Sequence, residues 1–164
     1  MPSPNKVLAG FSASLYAQTG SNPTPLTVAN LSTLASVQAL ATSGGLLNVE
    51  AIPAFGQDDA VATFAVAGSR QSDKIPVQSA PTSMTITAAW NPSDAQLLQM
   101  QADAYNGLVD RTFVIAATDG TNSIYYAFNG RVGEFQVDMQ PGAEAKCHFS
   151  VHPRGNQYGW SHTV

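Results

Sequence analysis

Between Met84 and Val151 the spacing of apolar residues changes period twice, and few architectures accept that order. Met84, Ile86, Ala88 and Trp90 alternate with Ser83, Thr85, Thr87 and Ala89, the period of two that suits a half-buried strand. Asn91-Pro92-Ser93-Asp94 then offers a capping side chain, a proline tolerated in a first helical turn and an acid for the positive helix end. This predicts a helix over about 93–106, with Leu98, Ala102 and Tyr105 as its buried stripe and Asn106-Gly107 as its end. Phe113, Ile115 and Ala117 restart the alternation. Asp119-Gly120 turns the chain, and Ile124, Tyr126 and Phe128 carry it back. After Gly130 and Gly133, which suit bulges, Phe135, Val137 and Met139 share a face, and Ala143, Ala145, Cys147, Phe149 and Val151 end the run. The expected order is strand, helix, then three strands, in a mainly β chain.

Upstream, Val7 to Gln18 reads as a strand, Gly20 to Pro25 as a loop, and Asn48 to Phe55 as a short strand. Leu26 to Leu47 stays open, because Leu31, Leu34, Gln38 and Ala41 have helical spacing whereas Thr and Val favour strand. Gly56 to Asp59 is a turn, Val61 to Ala67 a strand, and Gly68 to Pro81 a polar loop. The 164 residues suffice for one core and are few for two. A single domain over 1–164 is expected, with long loops at about 19–48 and 68–82.

Only 11% of residues are charged, less than half of the usual quarter or so, leaving little repulsion to keep copies apart. No charged residue or histidine occurs from Val7 to Val49, a gap of 43 residues. A solvated surface of that length normally carries charge, so contact between subunits is one explanation, with Leu34 and Leu47 as candidate interface residues. An uncharged polar loop rich in Ser, Thr, Asn and Gln is the other.

Chemical sites leave few traces. His148 and His152 lie four apart on an expected strand, a span of about 13 Å that one ion does not bridge, and Cys147 falls on the opposite face. Cys147 is the lone cysteine, so no internal disulfide forms, and its apolar neighbours favour a buried role over a nucleophilic one. Gly10-Phe11-Ser12-Ala13-Ser14 stops one residue short of a nucleophile elbow, and Asp58-Asp59 beside Gly56 reads as a solvated turn. No enzyme, cofactor or metal is therefore expected. Seven Lys and Arg against eleven Asp and Glu, scattered along the chain, argue against specific nucleic-acid binding. Without a basic leader or a membrane-length apolar run, the chain is expected to be made in the cytoplasm and to have no membrane partner.

The block from Pro81 to Gly155 resembles the major tail tube protein of long-tailed (siphovirus-like) bacteriophages. A strand ending in an aromatic, the helix from Ser93 to Tyr105, Gly107, the Asp119-Gly120 hairpin and Phe128-Asn129-Gly130-Arg131-Val132-Gly133-Glu134-Phe135 carry the likeness. The last stretch looks like that family's G-x-V-x-x-F turn into a strand. The resemblance implies a β-sandwich or small barrel with one flanking α-helix, forming stacked hexameric rings. It places the protein in the virion tail of a phage whose host cytoplasm makes it, with copies of itself, tape measure, tail terminator and distal tail proteins as partners. DNA would pass through the lumen without specific binding, as a neutral or acidic wall allows. Contractile-tail and type VI secretion tubes share that general fold. The alternative is a monomeric β-sandwich that binds a ligand such as a carbohydrate, using Trp90, Tyr158 and Trp160 as a platform, although Trp90 also fits a core position.

Overall fold

The computed structural model describes residues 12–65, 67–68, 70–154 and 160–163. The first strand, β1, is Ser12–Ala17; residues 7–11 of the expected strand lie outside the described residues. Helices α1 (Val28–Leu31) and α2 (Leu34–Leu40) lead through a single 3-10 turn into the two-residue strand β2 (Leu46–Leu47). Strands β3 (Gln57–Ala65) and β4 (Ser72–Pro81) form a sheet of their own. After β5 (Met84–Ala89) and α3 (Ala95–Asn106) come β6 (Arg111–Thr118), β7 (Ser123–Asp138), β8 (Lys146–Pro153) and β9 (Trp160–Thr163). The main sheet runs β2-β1-β6-β7-β8-β5, antiparallel throughout, and β9 adds to the first half of β7. Leu47 pairs with Leu15 of β1, and two residues later Val49 bridges Ala88 of β5. One short segment thus touches both ends of a sheet curled into a half-barrel, which limits the open edge that would otherwise invite pairing.

The concave face holds the core. Leu15, Ile86, Phe113, Phe128 and Phe149 pack there with Leu97 and Met100 of α3. Phe113 stacks on Phe128 with ring centres 5.6 Å apart, and Phe135 on Phe149 at 5.7 Å. Each such ring removed from water contributes roughly 1.5–3 kcal/mol. Trp90 meets Phe135 edge to face at 5.7 Å and is packed against this core.

The segment left open between helix and strand is helical. Thr27 caps α1 by accepting from Asn30 N, and Leu31 and Val37 pack on Val114 and Ala127 behind the sheet. Arg111 to Ile115 are consequently buried on both faces, so β6 loses the alternation its sequence suggests. Part of the uncharged stretch is therefore explained inside the subunit, since an ion placed among these side chains would be desolvated without a partner.

The helix differs from expectation in start and in face. Asp94, not an earlier residue, is the N-cap: its Oδ1 accepts from the backbone N–H of Gln96 at 3.0 Å and Leu97 at 3.3 Å, and Pro92 lies before the cap. Gly107 closes the helix at φ 68, donating to Asp103 O at 2.8 Å, as its position suggested. The buried residues are Gln96, Leu97, Met100 and Asp103, whereas Leu98 and Tyr105 are 41% and 75% exposed. Apolar content misleads here because the two buried polar residues have partners. Gln96 Nε2 donates to Ala17 O at 3.1 Å, and Asp103 pairs with Arg111.

A bulge explains the glycine motif. Val132 opposes Val151, Gly133 opposes Ser150, and Gln136 opposes His148, so Glu134 and Phe135 together face the single residue Phe149. The extra residue lets Val132 and Phe135, an odd spacing apart, both enter the core. Glu134 turns the chain at φ 55, a left-handed conformation uncommon for a side chain of its type, and its Oε2 accepts from Ser150 Oγ at 2.9 Å. A Cβ on Gly130 would stand 3.0 Å from the His152 carbonyl oxygen.

The long loop expected at about 68–82 is for the most part strand. Ser72–Pro81 pairs with β3 from Ala65↔Ser72 to Gln57↔Pro81. Pro76 and Pro81 argued against a strand, but a two-stranded sheet has a free edge on each strand, and the register shifts between Ala60 and Val61, beside Pro76.

Candidate assembly surfaces

The β3–β4 arm is rooted at two contacts. Thr82 N donates to Gly56 O at 3.0 Å, and Phe55 meets Tyr126 of the main sheet edge to face at 5.1 Å. Beyond that root every residue of β3 is exposed. Nine strand residues reach about 30 Å, and a lone hairpin is at best marginally stable in water because little burial offsets its ordering. The arm nevertheless carries Val61, Phe64, Ile75 and Val77, all more than half exposed. Phe64 is opposite Asp73 and Ala62 opposite Ile75, which puts Phe64 and Ile75 diagonally on one face.

A second apolar surface lies on the outside of α3. Leu98, Ala102 and Tyr105 follow a helical stripe and are exposed, with Leu108, 73% exposed, just past the end. Beside Leu108 is a recess of about 390 Å³ lined also by Asn22, Pro23, Pro25, Asn106 and Asp110.

Charge near the end of α3 and along β8 is paired inside the subunit. Asp110 accepts from Arg131 Nε at 2.6 Å and Nη2 at 3.2 Å, and from Arg154 Nη1 at 3.1 Å. The Arg131 hydrogen bonds hold its carboxyl below the ordinary carboxylate value. Lys146 meets Glu50 at 2.6 Å, which raises the ammonium's pKa. Arg111 pairs with Asp103, leaving Arg70 and Lys74 of the arm region as the two described cations without an acid partner.

The two leucines singled out from the uncharged stretch part company. Leu47 is in the core at 2% exposure and offers no side-chain surface to a neighbour. Leu34 is half-buried at the start of α2. His148 and His152 sit on β8, with Nδ1 2.9 Å from Ser83 Oγ for His152 and 3.0 Å from Thr87 Oγ1 for His148. Ser150 is bonded to Glu134 rather than to either imidazole. His148, Ser150 and Glu134 line a groove of about 460 Å³ at the bulge, together with Thr85 and Gln136. Cys147 faces the core, where burial pushes its thiol pKa up. Tyr158 and the side chain of Trp160 lie outside the described residues.

Sequence reading found half of the arm, the strand from Val61, and missed its return. Alternation of Asp73, Ile75 and Val77 with Lys74, Pro76 and Gln78 across Gly68 was the available signal. The outer stripe of α3 was found and assigned to the wrong side.

No family model and no curated protein matches the chain. Solved structures do. A chain of the anti-feeding prophage baseplate superposes with a TM-score of 0.60 at 9% identity, covering 100% of this chain and 97% of that one. The sheath/tube terminator structure of the PVC extracellular contractile injection system gives 0.60 at 11% identity over 99% and 97%. The SPP1 tail tube gives 0.54 at 11% identity over 95% and 79%. The fold is tail-tube-like. At such identities the likeness speaks of fold alone. Among the described residues no helix is long and apolar enough to cross a membrane.

Proposed function

We propose that this chain is a structural subunit that assembles with copies of itself into hexameric rings stacked as a hollow, phage-type tail tube, a conduit for the genome. The observation that carries the reading is the arm: an apolar-bearing hairpin with nothing beneath it among the described residues, on a fold shared with tail-tube chains. A second copy can supply such a hairpin with its second layer, and heterologous contacts of this kind close into rings or run on as filaments. Leu34, half-buried and uncharged in its surroundings, remains a candidate interface residue. Tape measure, terminator and distal tail proteins would meet the two ends of the tube. With net charge −4 and four of six described cations engaged by acids, the wall has little free positive charge with which to retain DNA. The test is direct imaging of the purified protein by negative-stain electron microscopy, with sedimentation over a range of concentrations. Rings or tubes are the expected result; a monomer at every concentration would reverse the reading in favour of a monomeric binding module.

A further inference from the structure

We propose that Asn106 is a site of spontaneous deamidation in the native subunit, and that the chain's other Asn-Gly pair, Asn129-Gly130, is protected. This stands apart from the assembly reading above. Glycine after asparagine leaves the backbone nitrogen that must attack unshielded, because no Cβ stands beside it. Every other asparagine precedes a residue with a side chain or, at Asn22 and Asn91, a proline that has no N–H to lose.

The step needs only the chain and water. The Gly107 nitrogen, its proton taken by hydroxide, bonds to Asn106 Cγ; the Cγ–Nδ2 bond breaks, and ammonia leaves with a proton returned by water. A five-membered imide remains. Water then opens it at Cγ, which gives aspartate, or at the Asn106 main-chain carbonyl, which gives isoaspartate with the backbone routed through the side chain.

The two pairs differ in how firmly the reacting groups are held. Asn129 is half-buried inside β7, where Nδ2 donates to Leu26 O at 2.9 Å, Oδ1 accepts from Thr112 Oγ1 at 2.7 Å, and the main-chain oxygen accepts from Arg154 N at 2.7 Å. Gly130 is buried between Arg111 of β6 and Pro153 of β8. Its nitrogen reaches Asn129 Cγ only if β7 leaves the sheet. Asn106, by contrast, is the exposed last residue of α3, and its side chain makes no hydrogen bond among the described residues. Gly107 N–H is held by Asp103 O at 2.8 Å, and Gly107 O by a long bond from Arg131 Nη1 at 3.4 Å. Freeing the nucleophile therefore costs one end turn of a helix, the part that frays most readily, instead of a central strand. The recess of about 390 Å³ that Asn106 lines with Asn22 and Asp110 gives water access to the imide. The product places a carboxylate at the negative end of α3, where the helix dipole disfavours it.

The test ages the full chain at neutral and mildly alkaline pH, at a concentration where it does not assemble and with its fold followed by circular dichroism. A second sample is aged in denaturant, and both are mapped by peptide mass spectrometry. In the native sample the Asn106 peptide should gain about one mass unit at least about tenfold faster than the Asn129 peptide, with isoaspartate among the products and a rate that rises with pH. In denaturant the two pairs should react at similar rates. Asn106→Gln, whose longer side chain would have to close a larger ring, should abolish the gain in that peptide while keeping the wild-type melting temperature. Equal gains at the two pairs in native protein, or no gain at Asn106 while the denatured sample reacts there, overturn the proposal.

Discussion

Asp103 Oδ2 lies 2.7 Å from Arg111 Nε, with the two side chains 2% and 0% exposed, and this pair fastens the helix to the sheet. Arg111 Nη1 also donates to Gln18 O and, at 2.9 Å, to Gly20 O, while Gln99 Nε2 donates to Asp103 Oδ1 at 2.9 Å. Helix α3, strand β6 and the loop after β1 therefore meet on one guanidinium. Nη2 is left without a partner among the described residues, so the cation is costly to keep here and costlier to strand.

Asp103→Ala should accordingly destabilise the subunit by on the order of 3–5 kcal/mol, because it leaves a buried guanidinium uncompensated. Replacing both partners, as in Asp103→Leu with Arg111→Met, should recover much of that loss, since the desolvation penalty disappears with the charges. Chemical denaturation of the three proteins measures the difference. Equal losses in the single and double variants would show that the pair is not what fastens the helix.

The helix faces give a second, opposed pair of outcomes. Leu97→Ala and Met100→Ala should each cost about 2–5 kcal/mol through the cavity they open beneath the sheet. Leu98→Ala should stay within about 1 kcal/mol in the isolated subunit, as its side chain is 41% exposed. Thermal melts at a concentration where the protein does not assemble separate the two faces.

What was legible follows from which forces are local. The registers Met84↔Val151, Ile86↔Phe149 and Ala88↔Cys147 bring together residues whose alternation was plain, and Gly107 and Gly120 hold the positive φ values their turns need. The face of α3 was not legible, because Asp103 is buried by a partner eight residues on that lies in another element. Residues 26–47 could not be assigned since their helices are short and owe their burial to the reverse side of β6. Leu47 read as an interface residue for the same reason: nothing near it in sequence shows that Leu15 waits across the sheet. Half of the arm escaped because prolines that forbid an interior strand are permitted at an edge.

The two glycines of the motif should not respond alike. Gly130→Ala places a Cβ 3.0 Å from a backbone oxygen of His152, whereas Gly133→Ala meets the His152 imidazole at 3.2 Å. A ring can swing aside; a paired carbonyl cannot move without disturbing the β7–β8 ladder. Gly130→Ala is expected to cost about 1–3 kcal/mol and Gly133→Ala clearly less, a ranking that differential scanning calorimetry can settle.

Acid should act on the subunit through Asp110. Arg131, and after it Arg154, hold this carboxyl below its ordinary value, so the native state binds its proton less readily than the unfolded chain. For a depressed acid the stabilisation is complete above the unfolded value and is lost as pH falls through the folded one, which places the loss below about pH 4. With the Asp110 side chain 37% exposed, solvent screening limits the contribution to no more than about 1 kcal/mol. Asp119 titrates in the same window, its carboxylate held down first by the backbone N–H of Asn122 and then by that of Thr121, and it does so in either protein. Asp110→Asn should therefore be less stable than the wild type at neutral pH, with the gap closing as the solution is taken from pH 5 to pH 2. Added salt should narrow the gap at neutral pH, because the charges stand near solvent. A gap that widened in acid would mean that Asp110 is more readily protonated in the folded subunit, against the pairing with Arg131.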